Sequence, residues 1–417
     1  MKILHTADIH IGYETHGRHD TKSGLNSRWL DTQKCLKFMV QKALEEDIDL
    51  FLFCGDAYKD SLPTPTEQRI FARALRPLLD KGIPTVFIVG NHDYPVAAGK
   101  ANALQIFPDL HDKVYLFSNP RHHDFETKSG KIRIIGLPWP MRNMLAGQKE
   151  YLNKTSEELN ALMHEIYADF IESEAEKIRN ENLPYPAILA AHVHVADAII
   201  SEGSERISSR DPMFNVAVLA KREFSYVALG HIHKHQDLNE GAVERGEPPV
   251  VYSGSIERIT FSEEKDPKGF VIVELDEHKR ATYRHVQTPA RPMQTIKIDI
   301  REKADNEVMQ EVQKTLNRYN TTDAIVRINI ECRKNQQRLV DFAEIKKLLS
   351  CFNLLPIQFK VHQEESVEDS RRRAIARAST MREAFSRYID AREDLVPKKD
   401  KLLAKFDELE RKLDRVV

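Results

Sequence analysis

The sequence predicts an α/β protein in which a mainly parallel sheet is covered by helices, followed by a small α+β segment and two terminal helices. Three observations carry this. Apolar runs of strand length alternate with helix-period stripes from Lys2 through Val89, the β-α-β-α-β rhythm of a parallel sheet. These apolar runs, and others later in the chain, stop abruptly at Asp, Asn or His. From residue 288 the pattern changes to alternating, half-exposed strands, and from Gln363 to charged helical sequence.

Residues 2–7 form the first strand and deliver Asp8-Ile9-His10-Ile11-Gly12. Strand alternation turns Asp8 and His10 to one side, where a carboxylate and an imidazole can converge on an ion; a buried Asp–His hydrogen bond is the plainer use of such a pair. A helix from about Trp29 to Glu46 follows, with Leu36, Met39, Val40, Ala43 and Leu44 as its core stripe. The run Leu50-Phe51-Leu52-Phe53-Cys54 delivers Gly55-Asp56, which alone often just opens a turn. A second amphipathic helix, around Thr66 to Lys81, leads into the apolar stretch 83–89 and then Gly90-Asn91-His92-Asp93. Chemistry in open α/β sheets collects at the carboxyl ends of strands. An Asn, a His and an Asp delivered together at such an end are not what a packed core selects.

A strand near 132–136 and a long helix over roughly 155–180 come next. The run 187–191 then enters His192-Val193-His194, and residues 197–213, rich in Ser, Glu and Arg, read as a surface loop. Residues 226–229 run into Gly230-His231-Ile232-His233-Lys234-His235, and Val250-Val251-Tyr252 ends in Ser253-Gly254-Ser255. Successive strands thus end in Asp-x-His, Gly-Asp, Gly-Asn-His-Asp, His-x-His and Gly-His-x-His. Any one of these histidines is more often structural than a ligand. Their series predicts a shared metal site.

Composition bounds the function. A chain of 417 residues has room for two or three domains, and 41% hydrophobic with 30% charged residues describes a globular protein. The formal charge of -2 means that any nucleic-acid contact must come from local patches and bound metal. No apolar run approaches the roughly 18 residues that span a membrane. Met1-Lys2 meets a charge too early for a secretory signal. Cys35, Cys54, Cys332 and Cys351 show no metal-type spacing. A cytoplasmic chain without disulfides or thiolate metal sites is expected.

The candidate set holds carboxylates, imidazoles and one carboxamide. These suit Mn²⁺, Fe²⁺ or Zn²⁺ and are too nitrogen-rich for Mg²⁺ or Ca²⁺. There are too many ligands for one ion, so two are expected, roughly 3.5–4 Å apart, clamping the oxygens of a displacement at phosphorus. Asp56, central in the strand series, is the natural bridge.

The motif order D-x-H, G-D, G-N-H-D, H-x-H, G-H-x-H resembles the calcineurin-like metallophosphoesterase superfamily. Within it, Asp8 through Tyr13, Ala228 through Lys234 and Val251 through Arg258 resemble the SbcD-type DNA double-strand-break-repair nucleases, the Gly-Ser-x-Glu-Arg stretch being the specific part. The likeness is strong over residues 1–290 and weaker to about 360. It implies a four-layer β-sandwich flanked by helices over 1–287, an α+β capping domain over 288–362 and a helix-loop-helix over 363–417. It further implies one Mn²⁺ held by Asp8, His10, Asp56 and His233, and a second held by Asp56, Asn91, His192 and His231. His92 would face the scissile phosphate and Asp93 would orient its ring. His194 and His235 are expected to be non-ligands. Lys59 stands where the family often carries His, which puts the exonuclease–endonuclease balance in question.

Residues 288–362 carry 13 Lys/Arg against 9 Asp/Glu, a modest positive excess that suits DNA backbone contact and is also common on any solvated face. Beyond Gln363, Ala378, Met381, Phe385 and Tyr388 form one apolar stripe. Leu402, Phe406, Leu409, Leu413 and Val416 form a second, after Pro397 at a helix start. Two such helices either pack on their own domain or dock another protein's helices. The resemblance implies an SbcC-like coiled-coil ATPase as that partner, a homodimer within a heterotetramer, and a cytoplasmic, nucleoid-associated location. The chain has no G-x-x-x-x-G-K-[S/T] nucleotide loop of its own. The activity implied is 3′-5′ exonuclease on duplex DNA and endonuclease on single strands; the rivals are a small-substrate phosphatase and a non-catalytic scaffold.

Overall fold

The computed structural model describes residues 1–94, 100–141, 154–200, 211–362, 380–392 and 394–413. Most of the Ser/Glu/Arg-rich loop, and Ala378 and Val416 of the two terminal stripes, lie outside the described residues. Contacts divide the chain into a unit of residues 1–296, 320–327 and 349–356, and a unit of 297–319, 328–348 and 357–417.

In the first unit, β1 (Lys2–Thr6), β2 (Leu50–Phe53), β3 (Thr85–Ile88) and β4 (Val114–Phe117) lie side by side in parallel. A second sheet holds β6 (Gly130–Leu137), β7 (Ala187–His192), β10 (Tyr226–Gly230) and β12 (Val250–Tyr252), also parallel. Antiparallel strands lie at three of the four edges, β4 being the parallel fourth: β13 (Gly269–Leu275) and β14 (Ala281–Gln287) extend the first sheet beyond β1, and β5 (Arg121–Thr127) and β11 (Gln236–Asp237) flank the second. The parallel expectation therefore holds at the centre of each sheet. The division into two sheets of six strands is decided by packing.

Four layers result. Helices α1 (Ser27–Glu45) and α2 (Pro65–Asp80) cover the outer face of the first sheet, where Leu36, Met39 and Phe71 meet Phe51, Phe53 and Phe87. The two sheets pack on each other through Leu52, Val86, Ile188 and Ala228. Helix α4 (Ser156–Glu181) covers the second sheet with Met163, Tyr167 and Ile171. Each central strand is buried on both faces, which is why β2 reads as an unbroken apolar run rather than an alternation. Both α2 and α4 open with a capping box, Thr64 with Glu67 and Thr155 with Glu158, that satisfies amides of the first turn.

In the second unit, the latter part of β16 (Ile325–Arg333) pairs in parallel with β18 (Gln358–His362). Helix α6 (Val308–Leu316) buries Val308, Val312 and Leu316, a one-sided stripe. The terminal helices α8 (Met381–Asp390) and α9 (Lys399–Leu413) pack together, with Phe385 and Phe406 stacked at 5.2 Å. Among the described residues, no helix is long and apolar enough to cross a membrane.

Candidate metal centre

The predicted ligands stand at or just beyond the carboxyl ends of β1, β2, β3, β7 and β10, so both sheets contribute. Four of them leave their strands in the left-handed region: Asp8 at φ 54°, His10 at 48°, Asp56 at 62° and His231 at 103°. For residues with a Cβ this costs roughly 1–2 kcal/mol each and persists only where surrounding structure over-determines it. Backbone bonds supply that restraint. Asp8 N donates to Gly55 O at 2.9 Å, and Ile9 N and His10 N both donate to Asp56 O at 2.9 and 3.1 Å. Gly90 must be glycine, because a Cβ there would collide with the Asp56 carboxylate.

The side chains converge. Asp56 Oδ2 lies 3.5 Å from His10 Nε2 and 3.4 Å from His192 Nε2, while Oδ1 accepts the His92 backbone N–H at 2.9 Å. Asn91 Oδ1 is 3.0 Å from His192 Nε2 and 3.1 Å from His231 Nδ1. His10 Nε2 and His233 Nε2 approach to 3.0 Å. Asp8 receives the His231 backbone N–H on both oxygens, at 3.0 and 3.1 Å. The His92 ring meets the His10 ring edge-on at 4.7 Å. All nine residues singled out in the sequence are thus in one neighbourhood, and Asp8, His10, Asp56, His92, His192 and His233 form three overlapping groups whose donor atoms lie within 4.8 Å of one another.

Burial and mutual charge set the protonation states. Burial raises Asp8 to about 6, and burial with the neighbouring Asp56 charge raises Asp93 to about 6. Burial would also raise Asp56, but His192, His10 and His92 outweigh it and hold the carboxyl far below its usual range. Burial would lower His192, yet the Asp56 and Asp8 carboxylates raise it to about 9. His231 is pushed well below the usual imidazole range by burial and by His192. For His233, burial is outweighed by its bond to Glu263 and the ring is raised.

One expected role changes. Asp93 does not orient the His92 ring. Its Oδ2 accepts N–H groups from Asp56 and Gly90 at 2.9 Å each, and its Oδ1 accepts from Ala57 at 3.0 Å. The buried carboxylate therefore ties the loop after β2 to the loop after β3, the two segments that carry Asp56, Asn91 and His92. The His92 ring is held through Nδ1, 2.7 Å from the Lys59 carbonyl oxygen. The Lys59 ammonium lies 5.6 Å over the Tyr13 ring.

Other partners were not legible in the sequence. His192 Nδ1 is 2.6 Å from the Cys54 carbonyl oxygen, and Trp139 lies against His231 at 4.7 Å. Glu263 and Lys268 sit behind His233, with Glu263 Oε1 3.0 Å from His233 Nδ1. Glu263 belongs to Ser262-Glu263-Glu264-Lys265-Asp266, which reads as a solvated charge run. His235 bonds to the Tyr252 carbonyl through Nδ1 at 2.9 Å and stacks on His285 at 4.1 Å. His194 is buried with Nδ1 unpaired.

The donor set fits divalent metal. Two Nε2 atoms 3.0 Å apart, an Asp56 oxygen shared by two imidazoles, and the buried His231 Nε2 without a partner make a poor closed hydrogen-bond network. Nitrogen and oxygen donors without sulfur match borderline divalent ions.

The chain belongs to the calcineurin-like phosphoesterase family, whose profile matches residues 1–235. Divalent metal is the family's cofactor class. Among named relatives, the SbcD component of the nuclease SbcCD from Bacillus subtilis is 28% identical over 69% of each chain. The component of the same name from Staphylococcus epidermidis is 24% identical over 77% of each chain. The DNA double-strand break repair protein Mre11 of Methanocaldococcus jannaschii is 26% identical over 66% of this chain and 63% of its own.

Proposed function

We propose that this protein is the nuclease component of an SbcCD-like DNA repair complex, a Mn²⁺-dependent phosphodiester hydrolase acting as 3′-5′ exonuclease on duplex ends and as endonuclease on single strands. The observation that carries the reading is the placement of Asp56 Oδ2 between His10 and His192, at 3.5 and 3.4 Å, among the seven candidate ligands. In this reading Asp8, His10, Asp56 and His233 would hold one ion, and Asp56, Asn91, His192 and His231 would hold the other. Bound divalent ions supply Lewis-acid polarisation of the phosphate and lower the pKa of water.

The chain's own groups do the rest. Asp56 and Asp8 keep His192 and its neighbours close against their mutual repulsion. His92, braced by the Lys59 carbonyl at 2.7 Å and by the Asp56 carboxylate at its backbone N–H, stands at the edge of the cluster. It stabilises charge on the scissile phosphate or protonates the leaving oxygen. Residues 288–362 cap the site for DNA ends. Residues 363–417 bind an SbcC-like coiled-coil ATPase, in a heterotetramer built on a dimer of this chain, in the cytoplasm at the nucleoid.

The test uses the purified chain with Mn²⁺ on end-labelled duplex DNA and on circular single strands, with para-nitrophenyl phosphate in parallel. DNA degradation that stops on chelation is expected. Turnover of the small ester with DNA untouched would replace the nuclease by a phosphatase. Inactivity on every substrate even after addition of the ATPase and ATP would leave a scaffold.

A further inference from the structure

We propose that Glu263 and Lys268 are positioning residues for His233, setting which ring nitrogen faces the divalent-cation centre, and that they act on one half of that centre only. The inference rests on the metal-centre reading above.

Glu263 Oε1 lies 3.0 Å from His233 Nδ1. Its other oxygen accepts the Ile259 N–H at 3.0 Å and lies 2.8 Å from Lys268 Nζ. The Lys268 ammonium also donates to the His233 carbonyl at 3.0 Å and to Ser255 Oγ at 2.9 Å. One ammonium thus grips both the backbone of His233 and the carboxylate that grips its ring. Ser255 adds a third hold, its N–H reaching the same carbonyl at 3.1 Å. Gly254 permits this approach, since a Cβ there would stand 2.7 Å from His235 N and 3.0 Å from His233 O.

With Nδ1–H given to the carboxylate, the lone pair is on Nε2, the atom 3.0 Å from His10 Nε2. The other half of the cluster is held differently. His192 Nδ1 faces a neutral carbonyl, that of Cys54, at 2.6 Å. An anionic partner makes an imidazole more basic and fixes its ring more firmly than a neutral one does. The Glu263–Lys268 side chains are 1% and 0% exposed, and stability alone does not require a buried pair, since apolar groups of similar volume often serve as well. A centre with one carboxylate-backed histidine and one carbonyl-backed histidine accounts for its presence: the two halves are built to bind with unequal strength.

The test is Mn²⁺ titration of the metal-free full chain, followed by electron paramagnetic resonance and calorimetry, with thermal unfolding of each variant. Wild type is expected to show two classes of site. Glu263→Gln should weaken one class by about 10–100-fold and leave the other unchanged. Because glutamine would turn an N–H toward the ammonium, the double variant Glu263→Gln with Lys268→Met is included. It should unfold near the wild-type temperature and keep the selective loss. Equal weakening of both classes, or two unchanged classes in a folded Glu263→Gln chain, overturns the proposal. A wild-type chain that binds no Mn²⁺ overturns the metal-centre reading itself, and this proposal with it.

Discussion

The carboxylate of Asp93 accepts the backbone N–H of Asp56 at 2.9 Å, joining the loops that follow two neighbouring strands. The same group takes the amides of Ala57 and Gly90. Asparagine in its place offers one acceptor oxygen and turns a donor toward a donor. Asp93→Asn should therefore destabilise the fold by about 1–3 kcal/mol and weaken metal binding in both halves of the centre. Thermal unfolding and Mn²⁺ titration check this; a variant with the wild-type midpoint contradicts it.

His92 contributes its ring to the site, whereas its backbone N–H holds Asp56. Removing the ring leaves that bond in place. His92→Ala is expected to keep its full metal content while DNA hydrolysis falls by about 10²–10⁴-fold. Metal analysis beside a nuclease assay separates the two effects, and loss of metal would make His92 a ligand.

Loading of the centre should release protons. His192, raised to about 9, carries a proton at neutral pH, and Asp8, raised to about 6, begins to carry one below neutrality. A metal ion must displace both. Affinity should then rise with pH between about 6 and 9 and level off above. Calorimetry in buffers of differing ionisation enthalpy measures the protons released. A heat independent of buffer would refute the assignment of His192 as a charged group in the metal-free chain.

The pair of buried Asp31 and half-buried Arg291 closes at 2.6 and 2.7 Å, and the Arg291 guanidinium lies 3.7 Å over the Phe352 ring. Arg28 shares Asp31 at 3.0 Å. Asp31→Ala removes the carboxylate that both guanidinium groups share, leaving Arg28 with Glu257 at 3.7 Å and Arg291 with the Asp323 carbonyl at 2.9 Å, and should cost about 1–3 kcal/mol. Denaturant unfolding reads the loss directly.

In the terminal helices, Phe385 and Phe406 face each other, while Met381 and Leu409 are 78% and 51% exposed. If the exposed side receives an ATPase helix, Leu409→Glu should reduce co-purification of that partner at least tenfold without altering helix content. Cleavage of single-stranded DNA by the isolated chain should be unchanged.

The strand ends were readable because β2 and its neighbours are buried on both faces, so each apolar run stops where the chain meets the site. The terminal helix pair was readable for a similar reason, through one-sided apolar stripes. The edge strands were harder, since β5 and β14 alternate with exposed residues and blend into loops.

The amino-acid order alone determined which carboxylates, imidazoles and carboxamide lie at strand ends, and hence a shared divalent-metal site. Local periodicity and residue type suffice for that, because they are properties of neighbours in the chain. Only the tertiary structure decided that the strands divide between two sheets, that Asp93 binds backbone rather than His92, and that Glu263 and Lys268 stand behind His233. Those facts depend on atoms distant in sequence, such as the Cys54 carbonyl against His192 and the Lys268 ammonium against His233. No spacing rule encodes such pairs, since they come into being only when the strands that carry them are packed together.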